Sequence, residues 1–213
     1  MPVVFNKEID DQSILSVWKI EETEEELLAS LQLKQHELDV IATLSAGKRA
    51  LHWLATRVLL RNMLNTTAYI DCRMDEHGKP YLVNSDLHIS LSHSYDYAAV
   101  IISKGKQVGV DIEMIKMKIK SIKHKFLSDV ELAQKQIGDN INGLYVCWCA
   151  KEAIYKWHGK KELEFKRDIH IKPFKLRDEG DLMAVVALPE GTRELEVNYF
   201  KTDDGYMLGY VIG

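Results

Sequence analysis

The hexapeptide Val108–Glu113, V-G-V-D-I-E, alternates without a break, and a period of two leaves little freedom in how it folds. In a strand, Val108, Val110 and Ile112 point to one side and Gly109, Asp111 and Glu113 to the other. The apolar side must be covered by the rest of the chain. The other side carries two carboxylates at i and i+2, which repel each other and which strand propensity does not favour. Two arrangements account for them: the solvent-facing side of an ordinary half-buried sheet, or a cation held between the acids.

The rest of the chain supplies elements that can pack on such a strand. I-L-S-V-W-K-I (14–20) reads as a strand, and Thr23 with Glu26 forms a capping box that opens a helix. A second helix is expected around 34–44. A longer one follows, capped by Ser45, with Leu51, Leu54, Val58 and either Leu60 or Met63 on its apolar stripe. E-H-G-K-P-Y-L is a turn entering an extended segment, and L-H-I-S-L-S-H, A-A-V-I-I-S and Q-V-G-V-D-I-E are strands. Ser128 with Glu131 caps a short helix, and G-L-Y-V-C-W-C-A-K-E-A-I-Y-K-W reads as a helix packed on both sides. From Asp168 onward, D-I-H-I-K-P-F-K-L, L-M-A-V-V-A-L, E-L-E-V-N-Y-F and Y-M-L-G-Y-V-I read as strands. No repeat or low-complexity linker divides the 213 residues, so one compact α/β unit is expected.

Charge and cysteine content exclude several functions. Lys and Arg total 28 against 32 Asp and Glu, a net charge of −4, which does not suit a general nucleic-acid binder. The opening M-P-V-V-F-N-K-E-I-D-D has charges too early for a secretory signal, and no apolar run approaches a membrane span, so a cytoplasmic location is expected. Cys72, Cys147 and Cys149 lack C-x-x-C spacing and read as buried thiols.

Four further clusters carry chemistry. In W-C-A-K-E-A-I-Y-K-W, Trp148, Glu152 and Lys156 are spaced by four and share one helix face. Glu152 and Lys156 make either a surface pair or, among apolar neighbours, a buried acid that needs a partner. Three carboxylates, Asp111, Glu113 and Glu152, with water in the other positions suit Mg2+ beside substrate phosphates. In S-L-S-H-S-Y-D (90–96), Ser92 and His93 can bind phosphate; no G-x-S-x-G elbow makes Ser94 a nucleophile. Arg49, Arg57 and Arg61, spaced by multiples of four, form either a solvated basic face or a phosphate row. K-M-K-I-K-S-I-K-H-K-F (116–126) is either a solvated loop or a docking segment. No P-loop, G-x-G-x-x-G or H-E-x-x-H is present.

Taken together, G-K-P-Y-L (78–82), I-S-L-S-H-S-Y-D-Y-A-A-V-I-I-S (89–103), V-G-V-D-I-E (108–113) and W-C-A-K-E-A-I-Y-K (148–156) resemble, in order and spacing, the Sfp-type 4'-phosphopantetheinyl transferases. The helix K-R-A-L-H-W-L-A-T-R-V-L-L-R (48–61) resembles that family's arginine-bearing helix, and the resemblance runs from about 45 to 160. It implies a pseudo-two-fold α/β (α+β) fold of two similar halves in one domain, approximately 1–105 and 106–213, with coenzyme A bound between them.

It also implies a Mg2+-dependent (or Mn2+-dependent) transfer of 4'-phosphopantetheine from coenzyme A to a serine of an apo acyl or peptidyl carrier protein, with 3',5'-ADP released. Asp111, Glu113 and Glu152 would then hold the metal, with Glu152 the general base, acting either directly or through a metal-bound water. Lys156 would neutralise the pyrophosphate, with Lys151 a second candidate. His93 and Ser92 would hold the 3'-phosphate, helped by Arg57 and Arg49, and Lys79 and Pro80 would line the adenine end. Lys116, Lys118, Lys120 and Ile119 would dock the acidic carrier helix, while Arg61 and Arg73 receive no role. Neither nucleic acid nor membrane is an expected partner.

Overall fold

The computed structural model describes residues 3–44, 48–83 and 85–213. The chain opens with a hairpin, β1 (Val3–Asp10) and β2 (Ser13–Lys19), followed by helices α1 (Glu24–Ala29), α2 (Gln35–Thr43) and α3 (Arg49–Met63). The expected Thr23–Glu26 capping box is formed in both directions. The proposed cap Ser45 lies outside the described residues, and Lys48 occupies the N-cap of α3. A small ribbon, β3 (Cys72–Met74) and β4 (Pro80–Leu82), leads to β5 (Leu87–Ser94), β6 (Tyr97–Lys104) and β7 (Val108–Met114).

After β7 the lysine-rich run begins in a turn at Lys116–Lys118 and continues as a helix, α4 (Ile119–Phe126). Ile119 and Phe126 are buried beneath it, a spacing of seven that fits two turns. The region after Ser128 breaks into α5 (Asp129–Leu132) and α6 (Lys135–Gly138), and α7 (Ile141–His158) follows. Asn140 caps α7 by accepting from the N–H groups of Asn142 and Gly143, and Gly159 ends it at φ 74°, a left-handed position where glycine carries no Cβ penalty. A short α8 (Phe165–Asp168) precedes β8 (Ile169–Ile171), β9 (Glu179–Leu188), β10 (Gly191–Lys201) and β11 (Tyr206–Ile212). The strand expected from Asp168 to Leu176 stops at Ile171, two residues before Pro173, which has no N–H to extend a ladder.

Two antiparallel sheets result, ordered β1-β2-β6-β5 and β7-β11-β10-β9-β8. Their inner faces share a core of Leu15, Val17, Ala99 and Ile101 against Val108, Val110, Ile112 and Leu208. On the outer face of the first sheet, Leu54, Val58 and Leu59 of α3 pack against Trp18, Ile89 and Val100. On the outer face of the second, α7 packs with Leu182, Val197 and Val211. The chain is thus a mixed α/β structure in four layers, α3, sheet, sheet, α7. The period-two reading of β7 holds: its valines and isoleucine face the other sheet, which leaves Gly109, Asp111 and Glu113 facing α7.

Candidate functional site

Gly109 permits the acidic face of β7 to exist beside a helix. A Cβ there would lie 1.9 Å from the Ala153 carbonyl oxygen and 2.7 Å from the Trp157 nitrogen. Gly209, opposite Asp111 on β11, is similarly close, its Cβ position 3.0 Å from the Cys149 carbonyl carbon. The two glycines seat the backbone of α7 directly on β7 and β11. Glu152 and Lys156, one turn apart on α7, are thereby brought to Asp111. Lys156 Nζ lies 2.8 Å from Asp111 Oδ1, and donates also to Ser92 Oγ and the Val110 carbonyl.

The other edge of β7 meets β5 through side chains. The N–H groups of Val110, Ile112 and Met114 donate to the hydroxyls of Ser90, Ser92 and Ser94 at 3.1–3.2 Å, so alternate serines of β5 satisfy an edge that has no backbone ladder there. The same hydroxyls hold the acids: Ser92 donates to Asp111 Oδ1 at 2.9 Å and Ser94 to Glu113 Oε2 at 2.8 Å. The solvent-facing alternative for the D-x-E pair is excluded, because Asp111 is 5% exposed.

The electrostatics follow from this crowding. Burial, then the Asp111 and Glu113 charges against the opposing pull of Lys156, pushes the Glu152 carboxyl up to about 7. Burial and Asp111 likewise raise Glu113, while the Ser94 hydroxyl works against them. Asp111 Oδ2 is buried without a hydrogen-bond partner. Among the described residues no three His, Cys, Asp or Glu side chains converge as a finished metal cage. The donor types nevertheless suit a hard cation: three carboxylates, one with an orphaned buried oxygen, in a place where burial and then mutual repulsion already raise two of them.

A second group of residues lies along β5 and α3. His93 extends from β5 on the side away from the serines, its ring stacked on His52 of α3 at 4.4 Å. His93 is exposed on its outer side, while desolvation of the ring, then the nearby His52, Lys156 and Arg57, pull it below the usual imidazole range. Arg57 is buried, its guanidinium 4.1 Å from the Trp53 ring centroid and its Nε without a partner, whereas Arg49 is exposed at the start of α3. Lys79 and Pro80 line a cleft of about 480 Å³ with His88, Gln107 and His158. Lys79 donates to Gln107 and to the Trp157 carbonyl, and desolvation lowers it to about 8.

Three expected site residues are placed otherwise. Lys151 is fully buried on the far side of α7, where it pairs with Glu131 at 2.9 Å and donates to the carbonyls of Phe126, Phe165 and Ile169. Adjacent helix positions diverge by about 100°, so the neighbour of Glu152 cannot share its face. Ile119, 4% exposed, belongs to the core under α4 and offers no docking surface, although Lys116, Lys118 and Lys120 are exposed. Ser92 does not stand beside His93 as a phosphate donor; its hydroxyl is turned to β7 and Lys156. Arg61 and Arg73, which have no expected role, are engaged locally: Arg61 holds the carbonyls of Ser30, Thr66 and Thr67, and Arg73 forms a two-bond pair with Asp71.

The residues that sequence reasoning passes over are Ser90, Ser94, Gly109 and His52. The alternation S-L-S-H-S carries a signal for the serines, since small hydroxyls on one strand face suit a close neighbour. His52 has no local signal.

Known proteins resemble the part of the chain that holds β7 and α7. Residues 107–211, which include β7 and α7, match the 4'-phosphopantetheinyl transferase superfamily. A 4'-phosphopantetheinyl transferase of Bacillus subtilis is 27% identical over 168 residues, 72% of each chain. The 4'-phosphopantetheinyl transferase AcpT of Salmonella typhimurium is 32% identical over 126 residues, 56% of this chain and 65% of that one. AcpT of Escherichia coli O157:H7 is 30% identical over 119 residues, 53% of this chain and 60% of its own. The chain thus spans under two thirds of the length of both AcpT proteins. Residues 107–211 thus carry a likeness to the 4'-phosphopantetheinyl transferase superfamily, and the relatives that resemble the chain are themselves transferases of that kind.

Proposed function

We propose that this chain moves the 4'-phosphopantetheinyl group of coenzyme A onto a serine hydroxyl of an apo acyl or peptidyl carrier protein, releasing 3',5'-ADP, with Mg2+ or Mn2+ as the metal. The observation that carries the reading is the buried Asp111, with one oxygen orphaned, set beside Glu113, Glu152 and Lys156. In this reading residues 1–105 and 106–213 are two halves of one transferase domain, and the donor lies along their junction. A cytoplasmic location belongs to the same reading.

Asp111, Glu113 and Glu152 would hold the metal, which when bound supplies positive charge against the pyrophosphate. Lys156 adds a second positive charge on the same side. Glu152 takes the proton of the carrier serine, directly or through a water, as the serine oxygen attacks the β-phosphorus. The oxygen bridging the two phosphorus atoms leaves with the electron pair, as the 5'-phosphate of 3',5'-ADP. His93, with Arg57 and Arg49 behind it, receives the 3'-phosphate, and Lys79 and Pro80 border the adenine. Lys116, Lys118 and Lys120 steer an acidic carrier surface.

The test is release of 3',5'-ADP from coenzyme A, followed by chromatography with and without carrier protein and divalent metal. Release that requires both is expected. Release without carrier protein would mark a phosphodiesterase and overturn the transferase reading.

A further inference from the structure

The edge strands of the two sheets, β5 and β7, meet through three buried serines, and one geometry repeats along them. Ser92 accepts from the Ile112 N–H and donates to Asp111; Ser94 accepts from the Met114 N–H and donates to Glu113. Each hydroxyl thus serves the N–H of one residue on β7 and the side chain of the residue before it. Ser90 stands in the same register and accepts from the Val110 N–H, but the residue before Val110 is Gly109, which has no side chain to hold. A serine hydroxyl has a single hydrogen. Once its oxygen accepts from the strand, that hydrogen turns to the nearest acceptor, which at Ser92 and Ser94 is a carboxylate. The hydroxyls are fixed by the backbone of β7, and they fix the acids in turn.

The result is an unequal pair of oxygens on each acid. Asp111 Oδ1 takes the Ser92 hydroxyl at 2.9 Å and the Lys156 ammonium at 2.8 Å, while Oδ2 is left bare. Glu113 gives Oε2 to Ser94 at 2.8 Å, with the Trp148 side chain as a further donor to the same carboxylate. A carboxylate pinned by one oxygen has the other to offer. Mg2+ is satisfied by such ligands, because it takes a tight octahedron of about six oxygens, most of them water. Ca2+ takes about six to eight oxygens in a looser shell that commonly includes both oxygens of a carboxylate. We propose that Ser92 and Ser94 are positioning residues that set the metal preference of the site: they hold Asp111 and Glu113 to one-oxygen ligation and so favour Mg2+ over Ca2+. The assignment rests on the metal role of the acids in the reading above and adds to it two residues that act through those acids.

The experiment follows bound Mn2+ by electron paramagnetic resonance, with saturating coenzyme A and no carrier protein, corrected for the metal that free coenzyme A holds. Displacement by Mg2+ and by Ca2+ gives the ratio of their affinities in the wild type, Ser94→Ala, Ser94→Thr and Ser90→Ala. The expected result is that Ser94→Ala shifts the ratio towards Ca2+ by about tenfold, the lower end of what losing a hydrogen bond to a metal ligand costs. Ser94→Thr keeps the hydroxyl and holds the wild-type ratio. Ser90→Ala removes an equivalent clamp on the β7 backbone without touching an acid, and it holds the ratio too. An unchanged ratio in Ser94→Ala, with Mn2+ bound by the wild type, overturns the serine assignment alone. A shift of the same size in Ser90→Ala or Ser94→Thr assigns the effect to the packing of the strands and overturns it equally. Absence of bound Mn2+ in the wild type overturns the metal role of the acids and this assignment with it. Should Ser94→Ala fail to fold, Ser94→Cys, whose thiol donates weakly and suits none of these hard cations, supplies the same ratio and is judged by the same outcomes.

Discussion

Replacing Lys151 by methionine separates a structural lysine from a substrate-binding one. Its ammonium donates to the Glu131 carboxylate and to three main-chain carbonyls, of Phe126, Phe165 and Ile169, with none of the residue exposed. A bond to a charged group contributes roughly 1.5–3 kcal/mol and a neutral one about 0.5–1.5 kcal/mol, and severing a buried pair from one side costs about 3–5 kcal/mol. The carbonyl bonds place Lys151→Met in the upper part of that range. Glu131 keeps the N–H groups of Ser128 and Ile171 but loses the lysine that balances its charge. For a chain of this size, 1 kcal/mol moves Tm by about 2–4 °C, so a loss of about 4–5 kcal/mol means a drop of roughly 8–20 °C. Thermal unfolding followed by circular dichroism reads the drop, and calorimetry at a temperature where the variant is folded reads its affinity for coenzyme A. A variant with wild-type Tm and lost coenzyme A affinity would overturn the structural assignment and return Lys151 to the nucleotide site.

Gly109→Ala sets a Cβ 1.9 Å from the Ala153 carbonyl oxygen, so α7 must move off β7; about 1–3 kcal/mol of stability and about a hundredfold in kcat are expected to be lost, and wild-type turnover would contradict the close packing of strand and helix as a requirement. Glu152→Gln tests the acid cluster by pH. The folded-state pKa of Glu152 is raised to about 7 from 4.5, so its stabilising contribution is present below 4.5 and lost as pH rises through about 7. Urea unfolding without divalent metal is therefore expected to show the variant gaining on the wild type across that window, and a pH-independent gap would contradict it. Reversing Lys118 and Lys120 to glutamate is expected to raise the carrier KM roughly tenfold at low salt and flatten its salt dependence; an unaltered carrier KM would remove α4 from the docking surface.

The local part of this site is readable in one dimension. The alternation of V-G-V-D-I-E separates the acids from the core because a strand has period two, and spacing by four places Glu152 and Lys156 on one helix face. The capping boxes at Thr23 and Ser128 are equally local. What stays hidden depends on contacts distant in sequence. That Ser90, Ser92 and Ser94 close the edge of β7 follows from the edge strands of two sheets meeting, about twenty residues apart in the chain. That Lys151 turns from the cleft depends on Glu131 and on carbonyls from three other segments. Ile119 departs from expectation for a different reason: its lysine neighbours suggest a solvated segment, while Ile119, Ile122 and Phe126 at i, i+3 and i+7 already mark a helix with a buried side.

Group transfer to a carrier protein is read without intermediate steps from the intact mass of an apo carrier protein incubated with this chain, coenzyme A and Mg2+. A gain equal to one phosphopantetheinyl group is expected, located on a single serine by fragmentation and lost with Asp111→Ala or Glu152→Ala. A carrier protein of unchanged mass, across acyl and peptidyl carriers and with the chain folded and Mg2+ in excess, would contradict the transferase function.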